Sequence, residues 1–310
     1  MGGYTSFMKM QDGAEIFVRK WFDVEKPKGV LFIAHGMAEH SKRYDAFARF
    51  CNDLDLLVIA NDHRGHGRTG EKAQLMGYFA PQDGFERAVD DLYEIILSVK
   101  AELPRLPVFI MGHSMGSFLV RRYVQRYGDT VQAAIFMGSA GKPGPELQIA
   151  KLIARLQMIK SPTKPSKLLD KMSFGGYNKA FKNTKTAFDW LSRDEAEVQK
   201  YIEDPQCGFV CSSGFFYDLF YGLEIIHKSA EIDKMPKELP LLVINGGSDP
   251  VGGSGVKTFV EQLKKHGVER VTSILYPGAR HEILNETNRT EVMEDVGAWL
   301  LKHVDPDLDQ

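Results

Sequence analysis

One serine in this chain stands between two glycines in a pattern that is typical of an activated nucleophile. Gly112, Ser114 and Gly116 follow the apolar run at residues 108–111 and precede a stretch with helical periodicity. A strand that turns sharply into a helix through G-x-S-x-G holds the serine hydroxyl clear of the backbone. That hydroxyl needs a base to take its proton and a third group to orient the base. We therefore predict Ser114 as a nucleophile for acyl transfer.

Two polar residues downstream each follow a short apolar run that predicts a strand. Asp249 follows the run at residues 241–245, and His281 follows the run at residues 271–276. The order serine, acid, histidine along the chain is one that catalytic triads use. We predict that His281 is the general base and that Asp249 orients it. Each residue alone also fits an ordinary loop position, such as a turn former before a proline.

Stabilising the alkoxide that forms during acyl transfer requires two backbone N–H groups. One belongs to the residue after the nucleophile, and the other comes from a loop after an earlier strand. Met115 occupies the first position, and Met37 follows the predicted strand at residues 30–34 through His35 and Gly36. We predict the N–H groups of Met37 and Met115 as the oxyanion hole, although His35-Gly36 also fits an ordinary tight turn.

The elements that must position these residues alternate between strand and helix. Residues 5–10 and 15–21 predict an antiparallel hairpin at the edge of a sheet. Alternation of this kind gives a mostly parallel sheet with helices on both faces, an α/β fold. The further strands are expected at residues 30–34, 56–60, 108–111, 133–137, 241–245 and 271–276, and helices at residues 44–54, 84–101, 256–266 and 291–303.

The stretch from residue 141 to residue 239 interrupts this alternation. It contains no convincing strand pattern and many large apolar residues. We predict a core formed by residues 1–140 and 240–310, with residues 141–239 forming a helical cap. Apolar cap residues that do not pack onto the core, together with Met37 and Met115, are expected to line a pocket for an acyl chain.

Charge in the cap is uneven. Between residues 142 and 185, ten basic residues face two acidic ones, in a chain whose net charge is −2. One interpretation is a solvated lysine face, and the other is a surface that contacts an anionic membrane. Under the second hypothesis, the predicted helix at residues 147–160 would enter the membrane interface with its apolar stripe, which is formed by Ile149, Leu152, Ile153, Leu156 and Ile159.

Other features exclude several classes of protein. The net charge of −2 and the isoelectric point near 6.5 give no sign of nucleic-acid binding. Cys51, Cys207 and Cys211 form neither a complete disulfide set nor a zinc-finger pattern. With no signal segment and no apolar run long enough to span a membrane, we expect a cytoplasmic protein, with peripheral membrane contact through the cap. The sequence indicates no particular oligomeric state.

A group of histidines near the predicted oxyanion loop raises the question of a metal. Its spacing matches no zinc hydrolase, and the glycines between the histidines suit a loop under the active site. We therefore expect no metal and no cofactor. The group consists of His35, His40, Asp62, His63 and His66.

Four stretches together resemble the monoacylglycerol lipase and lysophospholipase branch of the α/β-hydrolases. They are residues 35–44, 62–68, 112–116 and 278–282. The resemblance implies an α/β-hydrolase fold with a cap, and a serine esterase that cleaves monoacylglycerols, lysophospholipids or shorter acyl esters. It also implies that Gly36, Glu39 and Arg43 lie at the glycerol end of the pocket.

The chain departs from that branch at Leu284, where monoacylglycerol lipases can carry a second histidine that helps to hold the glycerol hydroxyl. The His-Gly-Gly-Pro-Gly loop typical of proline iminopeptidases is absent, which argues against peptidase activity. Alternatives within the enzyme class are a short-chain carboxylesterase, a thioesterase or an acyltransferase. The alternative outside it is a hydrolase-fold binding protein without turnover, which would lack a triad member.

Overall fold

The computed structural model of the protein describes residues 4–304, and that part of the chain contains an eight-stranded sheet. The strand order is β1-β2-β4-β3-β5-β6-β7-β8. The pairs β1–β2 and β2–β4 are antiparallel, and all the others are parallel. The strands are β1 (Tyr4–Lys9), β2 (Glu15–Trp21), β3 (Gly29–Ala34), β4 (Leu56–Asn61), β5 (Val108–His113), β6 (Ala133–Met137), β7 (Leu241–Gly246) and β8 (Val271–Tyr276).

The central strands are apolar along their whole length because both faces of the sheet are covered. Alternate side chains of β3 enter different cores: Phe32 lies in one and Leu31 in the other. The first core contains side chains of α3 (Gly84–Glu102), α4 (Met115–Tyr127) and α10 (Gly255–Lys265). The second contains side chains of α1 (Asp45–Asp53) and α11 (Arg289–Leu301). The predicted α/β fold with a mostly parallel sheet is confirmed.

Between β6 and β7 the chain forms helices and no strand of the sheet. The two α-helices nearest the start of this stretch, α5 and α6, are joined by an irregular segment that pairs through a single bridge with Ser212. The placement of this stretch agrees with the predicted cap, whose boundaries at residues 141 and 239 stay a prediction. Its helices are α5 (Glu146–Lys160), α6 (Lys167–Phe174), α7 (Glu195–Glu203), α8 (Ser213–Ile225) and α9 (Ser229–Ile232).

The structure differs from the predicted elements at β5 and in the stretch after β4. Strand β5 continues two residues beyond its apolar run, because Gly112 pairs with Ala34 and His113 pairs with Met137. A short helix α2 (Gly67–Ala73) was not expected in a glycine-rich stretch. Among residues 4–304, no helix combines the length and the apolar character needed to cross a bilayer.

Candidate active site

Ser114 occupies a strained turn between β5 and α4. Its backbone has φ 52° and ψ −121°, a region that costs a non-glycine residue about 1–3 kcal/mol. The Ser114 N–H donates to the Met137 carbonyl at 2.9 Å, which ties the turn to the neighbouring strand. A Cβ on Gly112 would overlap the Gly116 carbonyl, and a Cβ on Gly116 would overlap the Ala34 carbonyl. The G-x-S-x-G spacing is therefore a requirement of close backbone packing.

His281 and Asp249 form a buried pair. The Nδ1 atom of His281 lies 3.0 Å from each carboxylate oxygen of Asp249. Burial raises the pKa of Asp249, but the nearby His281 outweighs burial and holds that pKa below its usual value. Asp249 is therefore a carboxylate that accepts from Nδ1–H, and it favours the tautomer of the neutral imidazole in which Nε2 can act as a base. His281 and Ser114 line the same cavity.

An oxyanion hole requires backbone N–H groups that can donate to a substrate oxygen, and those of Met37 and Met115 meet this requirement. Neither donates a hydrogen bond to any acceptor within residues 4–304. His35 fixes the orientation of one of them, because its Nδ1–H donates to the Gly36 carbonyl at 2.7 Å. In a trans peptide the C=O and the following N–H point in opposite directions, so the N–H of Met37 points away from the His35 ring.

Glu39 is buried in the wall of the cavity, where it accepts hydrogen bonds from several directions. Its carboxylate accepts from the Gly36 N–H at 2.6 Å, from the Tyr44 hydroxyl at 2.9 Å and from Arg43 at 2.7 Å. Burial raises the pKa of Glu39, but His113 and Arg43 together hold that pKa well below its usual value. Glu39 therefore presents a negative charge to this end of the cavity.

Arg43 lies behind Glu39 and is not among the residues that line the cavity. Its guanidinium also forms a bidentate pair with Glu282, at 2.6 and 2.7 Å. Of the residues that the resemblance assigns to the glycerol end, Gly36 and Glu39 line the cavity, and Arg43 holds the two carboxylates in place. Leu284 is buried in the core and does not line the cavity either.

His113 connects the carboxylate of Glu39 to the loop that carries His281. Its Nδ1 lies 3.3 Å from Glu39 Oε1, and its Nε2 lies 3.3 Å from the His281 carbonyl oxygen. Both partners only accept, so the doubly protonated ring satisfies both contacts. Burial lowers the pKa of His113, but Glu39 outweighs burial and raises it.

Two cavities meet at Ser114. The first, of about 280 Å³, is lined on its body side by polar groups that include Glu39, His113 and His281, and on its cap side by Phe188 and Tyr201. The second, of about 450 Å³, extends under α5 and is lined mostly by apolar side chains, together with Lys142, Glu146 and Ser173. The apolar side chains include Met115, Phe118, Leu147, Leu219, Phe220 and Leu223. Met37 and Phe174 border both cavities.

The cap contacts the loop of the predicted base directly, which no motif in the sequence indicates. The Trp190 carbonyl accepts from the His281 N–H at 3.4 Å, and the Leu191 carbonyl accepts from the Glu282 N–H at 2.7 Å. The rings of Trp190 and His281 lie 5.1 Å apart. The only sequence signal for these residues is that large apolar side chains are frequent in the insertion.

Three of the four histidines that raised the question of a metal, His35, His63 and His66, are engaged in hydrogen bonds with backbone groups, whereas His40 contacts the Asp204 carboxylate. His35 Nε2 accepts from the His63 N–H at 2.9 Å, and His66 Nδ1 donates to the Arg64 carbonyl at 2.9 Å. Burial lowers the pKa of His63 to about 3 and that of His66 to about 4. These neutral rings support the loop that carries Met37.

Comparison with known proteins assigns the chain to a family. Residues 25–288 match the Hydrolase_4 family, which is described as serine aminopeptidase, S33. The chain belongs to this family. It is 30% identical to a monoacylglycerol lipase from Mycolicibacterium smegmatis, over 94% of this chain and 95% of the relative. It is also 26% identical to the human monoglyceride lipase, over 93% of this chain and 88% of the relative.

A solved structure agrees with these relatives. A thermostable carboxyl esterase from Bacillus coagulans, solved in complex with glycerol, matches with a TM-score of 0.91 and 27% identity. The match covers 98% of this chain and 100% of the esterase. The resemblance drawn from the sequence is confirmed, and the chain is a serine ester hydrolase of the α/β-hydrolase superfamily.

Proposed function

We propose that this enzyme hydrolyses monoacylglycerols through an acyl-enzyme on Ser114. His281 takes the serine proton as the hydroxyl attacks the ester carbonyl, and it returns a proton to the leaving alcohol. Asp249 holds the imidazole in the required tautomer. The N–H groups of Met37 and Met115 stabilise the negative oxygen of each tetrahedral intermediate. Water, activated by His281, then releases the fatty acid.

The observation that carries this proposal is the meeting of two unlike cavities at Ser114. An ester cleaved there places its acyl chain on one side of the nucleophile and its alcohol on the other. The larger cavity suits the acyl chain because it has the greater volume and most of its wall is apolar, although Lys142 and Glu146 also line it. The smaller cavity also has an apolar wall, but the buried polar groups of Glu39 and His113 line one side of it, which suits an alcohol with free hydroxyl groups.

The charge of Glu39 supports glycerol over a phosphate head group. A buried carboxylate accepts hydrogen bonds from hydroxyl groups and repels a phosphate at close range. The Arg43 guanidinium and the protonated His113 ring balance the carboxylates of Glu39 and Glu282, so these four groups offer no uncompensated positive charge to a phosphate. The structurally similar Bacillus coagulans esterase, solved with glycerol, is in line with an alcohol of this kind.

The test is a comparison of kcat/KM for three substrates that share one acyl chain: a 1-monoacylglycerol, a lysophosphatidylcholine and a lysophosphatidic acid. We expect the monoacylglycerol to be preferred and the lysophosphatidic acid to be the poorest. In Glu39→Gln the penalty on lysophosphatidic acid should shrink relative to monoacylglycerol. A preference for either lysophospholipid would contradict the proposed substrate. Turnover of aminoacyl p-nitroanilides, with none of the esters, would favour a peptidase instead.

The second part of the proposal is that helix α5 contacts a lipid surface. Ile149, Leu152, Leu156 and Ile159 have exposed fractions of 61%, 58%, 57% and 78%, while Ile153 is partly buried. The buried side of the same helix is formed by Leu147, Ala150 and Ala154. Exposing four large apolar side chains of one helix to water is unfavourable in free energy, and a membrane interface would remove them from water.

Basic residues surround this apolar stripe. Arg155 and Lys160 on α5 are exposed, as are Lys164 and Lys167 in the segment that follows. Each basic residue held close to an anionic membrane contributes about 1 kcal/mol. Lys151 Nζ forms an ion pair with Glu224 Oε2 at 2.6 Å, so we do not count Lys151 among the basic residues that would contact the membrane. The second cavity lies along the buried side of α5, where Leu147 and Ala150 line it, so docking here would place the lipid surface on the other side of the same helix.

Vesicle binding tests this second part. The variant Leu152→Ser/Leu156→Ser should bind phosphatidylserine vesicles several-fold more weakly in sedimentation, while its turnover of a water-soluble ester stays unchanged. Leu97→Ser is the matched control, since Leu97 is a 40% exposed leucine on a helix of the body. Equal binding by the double variant and the wild type, or binding that ignores phosphatidylserine content, would refute the contact.

A further inference from the structure

We propose that His40, Asp204 and Cys207 form a zinc-binding site next to the ester-cleaving centre. One nitrogen, one oxygen and one sulfur atom of these side chains all lie within 4.8 Å of one another. The Nε2 atom of His40 is already 2.9 Å from Asp204 Oδ2. Imidazole, carboxylate and thiolate together are ligands that Zn²⁺ accepts, and three protein ligands leave a fourth position for water.

Two of the three side chains are brought together by a tight turn. The N–H of Cys207 donates to the carbonyl of Asp204 at 2.9 Å, which closes a four-residue turn. The two side chains thus lie on one loop, with a D-x-x-C spacing. Ligand atoms around a tetrahedral Zn²⁺ at 2.0–2.3 Å are about 3.3–3.7 Å apart. The His40 and Asp204 ligand atoms, at 2.9 Å, must therefore move slightly apart, and the longest separation in the group, up to 4.8 Å, must shorten by about 1 Å.

Access and local charge both suit a cation. Asp204 and Cys207 are partly exposed, whereas His40 is buried behind them. The charged groups around Cys207 are the carboxylates of Glu39, Asp204 and Glu282 and the guanidinium of Arg43. Negative charge is therefore in excess near the site.

Hydrogen bonds and the chain itself connect the proposed zinc site to the predicted oxyanion loop. His40 lies three residues after Met37, and the Ala38 carbonyl between them accepts from Gly208 N–H at 2.9 Å and from the Tyr201 hydroxyl at 3.1 Å. Ala38 itself has φ 51°. A metal that pulls His40 and Cys207 together would therefore shift the chain on both sides of the hydrogen bond between Ala38 and Gly208. We therefore expect zinc to inhibit the enzyme reversibly by lowering kcat, an expectation that rests on the proposed function.

Metal binding can be measured without turnover. Chelator-treated full-length protein, as wild type and as Ser114→Ala, would compete with a chromogenic chelator for Zn²⁺, and Co²⁺ would report a thiolate charge-transfer band. We expect one equivalent of zinc per chain in both proteins. Cys207→Ser and Asp204→Asn should each weaken zinc binding at least tenfold, and Cys207→Ser should abolish the cobalt thiolate band.

The matched control is Asp233→Asn, which removes the carboxylate from an exposed His–Asp pair away from the proposed zinc ligands. In that pair His266 Nδ1 lies 2.7 Å from Asp233 Oδ1. This variant should bind zinc like the wild type. Absence of binding by the wild type, or undiminished binding by folded Cys207→Ser and Asp204→Asn, would overturn the site. Binding without loss of ester turnover would overturn its connection to the oxyanion loop.

Discussion

The cavity at Ser114 has a body wall, formed by residues outside the insertion, and a cap wall, formed by residues between β6 and β7. Different kinds of interaction fix the side chains of the two walls. On the body wall, Glu39, His113 and His281 are buried and hydrogen-bonded to backbone or charged partners. On the cap wall, Phe174 and Trp190 pack ring against ring, with centroids 6.1 Å apart. Hydrogen bonds between charged groups fix direction as well as distance, whereas apolar packing is not directional.

This difference separates two tasks. Chemistry at the ester carbonyl tolerates errors of only a fraction of an ångström, and the body wall supplies that accuracy. Acyl chains differ mainly in length and bend, and an apolar cap can adjust to them. Changes to the body wall should therefore reduce turnover of every ester, and changes to the cap should alter which ester is preferred.

The largest effect is expected at the nucleophile. Ser114→Ala should lower kcat by about 10⁴–10⁶, because the acyl-enzyme cannot form. The midpoint of thermal unfolding should stay the same or rise, since alanine leaves the elbow backbone in place. Turnover of a p-nitrophenyl ester and circular dichroism would be measured together. Activity within tenfold of the wild type would break the assignment of chemistry to the body wall.

A smaller loss is expected at the orienting acid. Asp249→Asn should lower kcat by about 10⁴, because an amide stabilises the wrong tautomer of His281. KM should change little, since Asp249 is not among the residues that line either cavity at Ser114. Steady-state kinetics at several pH values would test this. A large rise in KM with unchanged kcat would instead assign Asp249 to substrate binding.

Substituting alanine for one glycine in the body and for one in the cap compares how well each region tolerates an added methyl group. Gly116→Ala should lower the free energy of unfolding by about 1–3 kcal/mol or more, because the new methyl group overlaps the Ala34 carbonyl. Gly176→Ala in the cap should be nearly neutral, since no atom lies within 4 Å of its Cβ position. Urea unfolding of both variants measures the contrast. Equal effects would show that the body wall is no more tightly packed than the cap there.

The smallest effect is a pH dependence of stability. Glu39 raises the pKa of His113 in the folded protein, so His113 stabilises the fold most below its unfolded pKa of about 6.5. That stabilisation is lost as the pH rises through the folded pKa. The wild type should therefore exceed His113→Asn in melting temperature most at about pH 6, and the difference should shrink by about pH 9. A difference that grows with pH would contradict the charged contact.

Local sequence patterns predicted the strands and the nucleophile turn of the body wall, but not the contacts of His113. Apolar runs mark buried strands, and the chemistry of a strained turn demands the glycines around Ser114. Strand β5 exceeded its prediction because pairing with β3 and β6, not apolarity, extends it to His113. The bidentate contact of Arg43 with Glu282 joins residues 239 positions apart, and no local pattern encodes such a contact.

The cap was predicted only in outline. Helical periodicity indicated α5 and its apolar stripe, but periodicity does not say whether a stripe faces the core or the solvent. Most of the stripe faces solvent. The hydrogen bonds from Trp190 and Leu191 to the His281 loop are made by backbone carbonyls, which every residue possesses. Their partners depend on how the cap packs and are invisible in the sequence.

The most direct test of the central claim is the initial rate on p-nitrophenyl esters of increasing chain length, with Ser114→Ala beside the wild type. We claim that the apolar cavity under α5 receives the acyl chain of an ester cleaved at Ser114. We therefore predict that the rate rises from the acetate to longer-chain esters in the wild type and that Ser114→Ala shows no turnover of any of them. A maximum at acetate or butyrate with no turnover of long chains, or rates unaffected by Ser114→Ala, would contradict it.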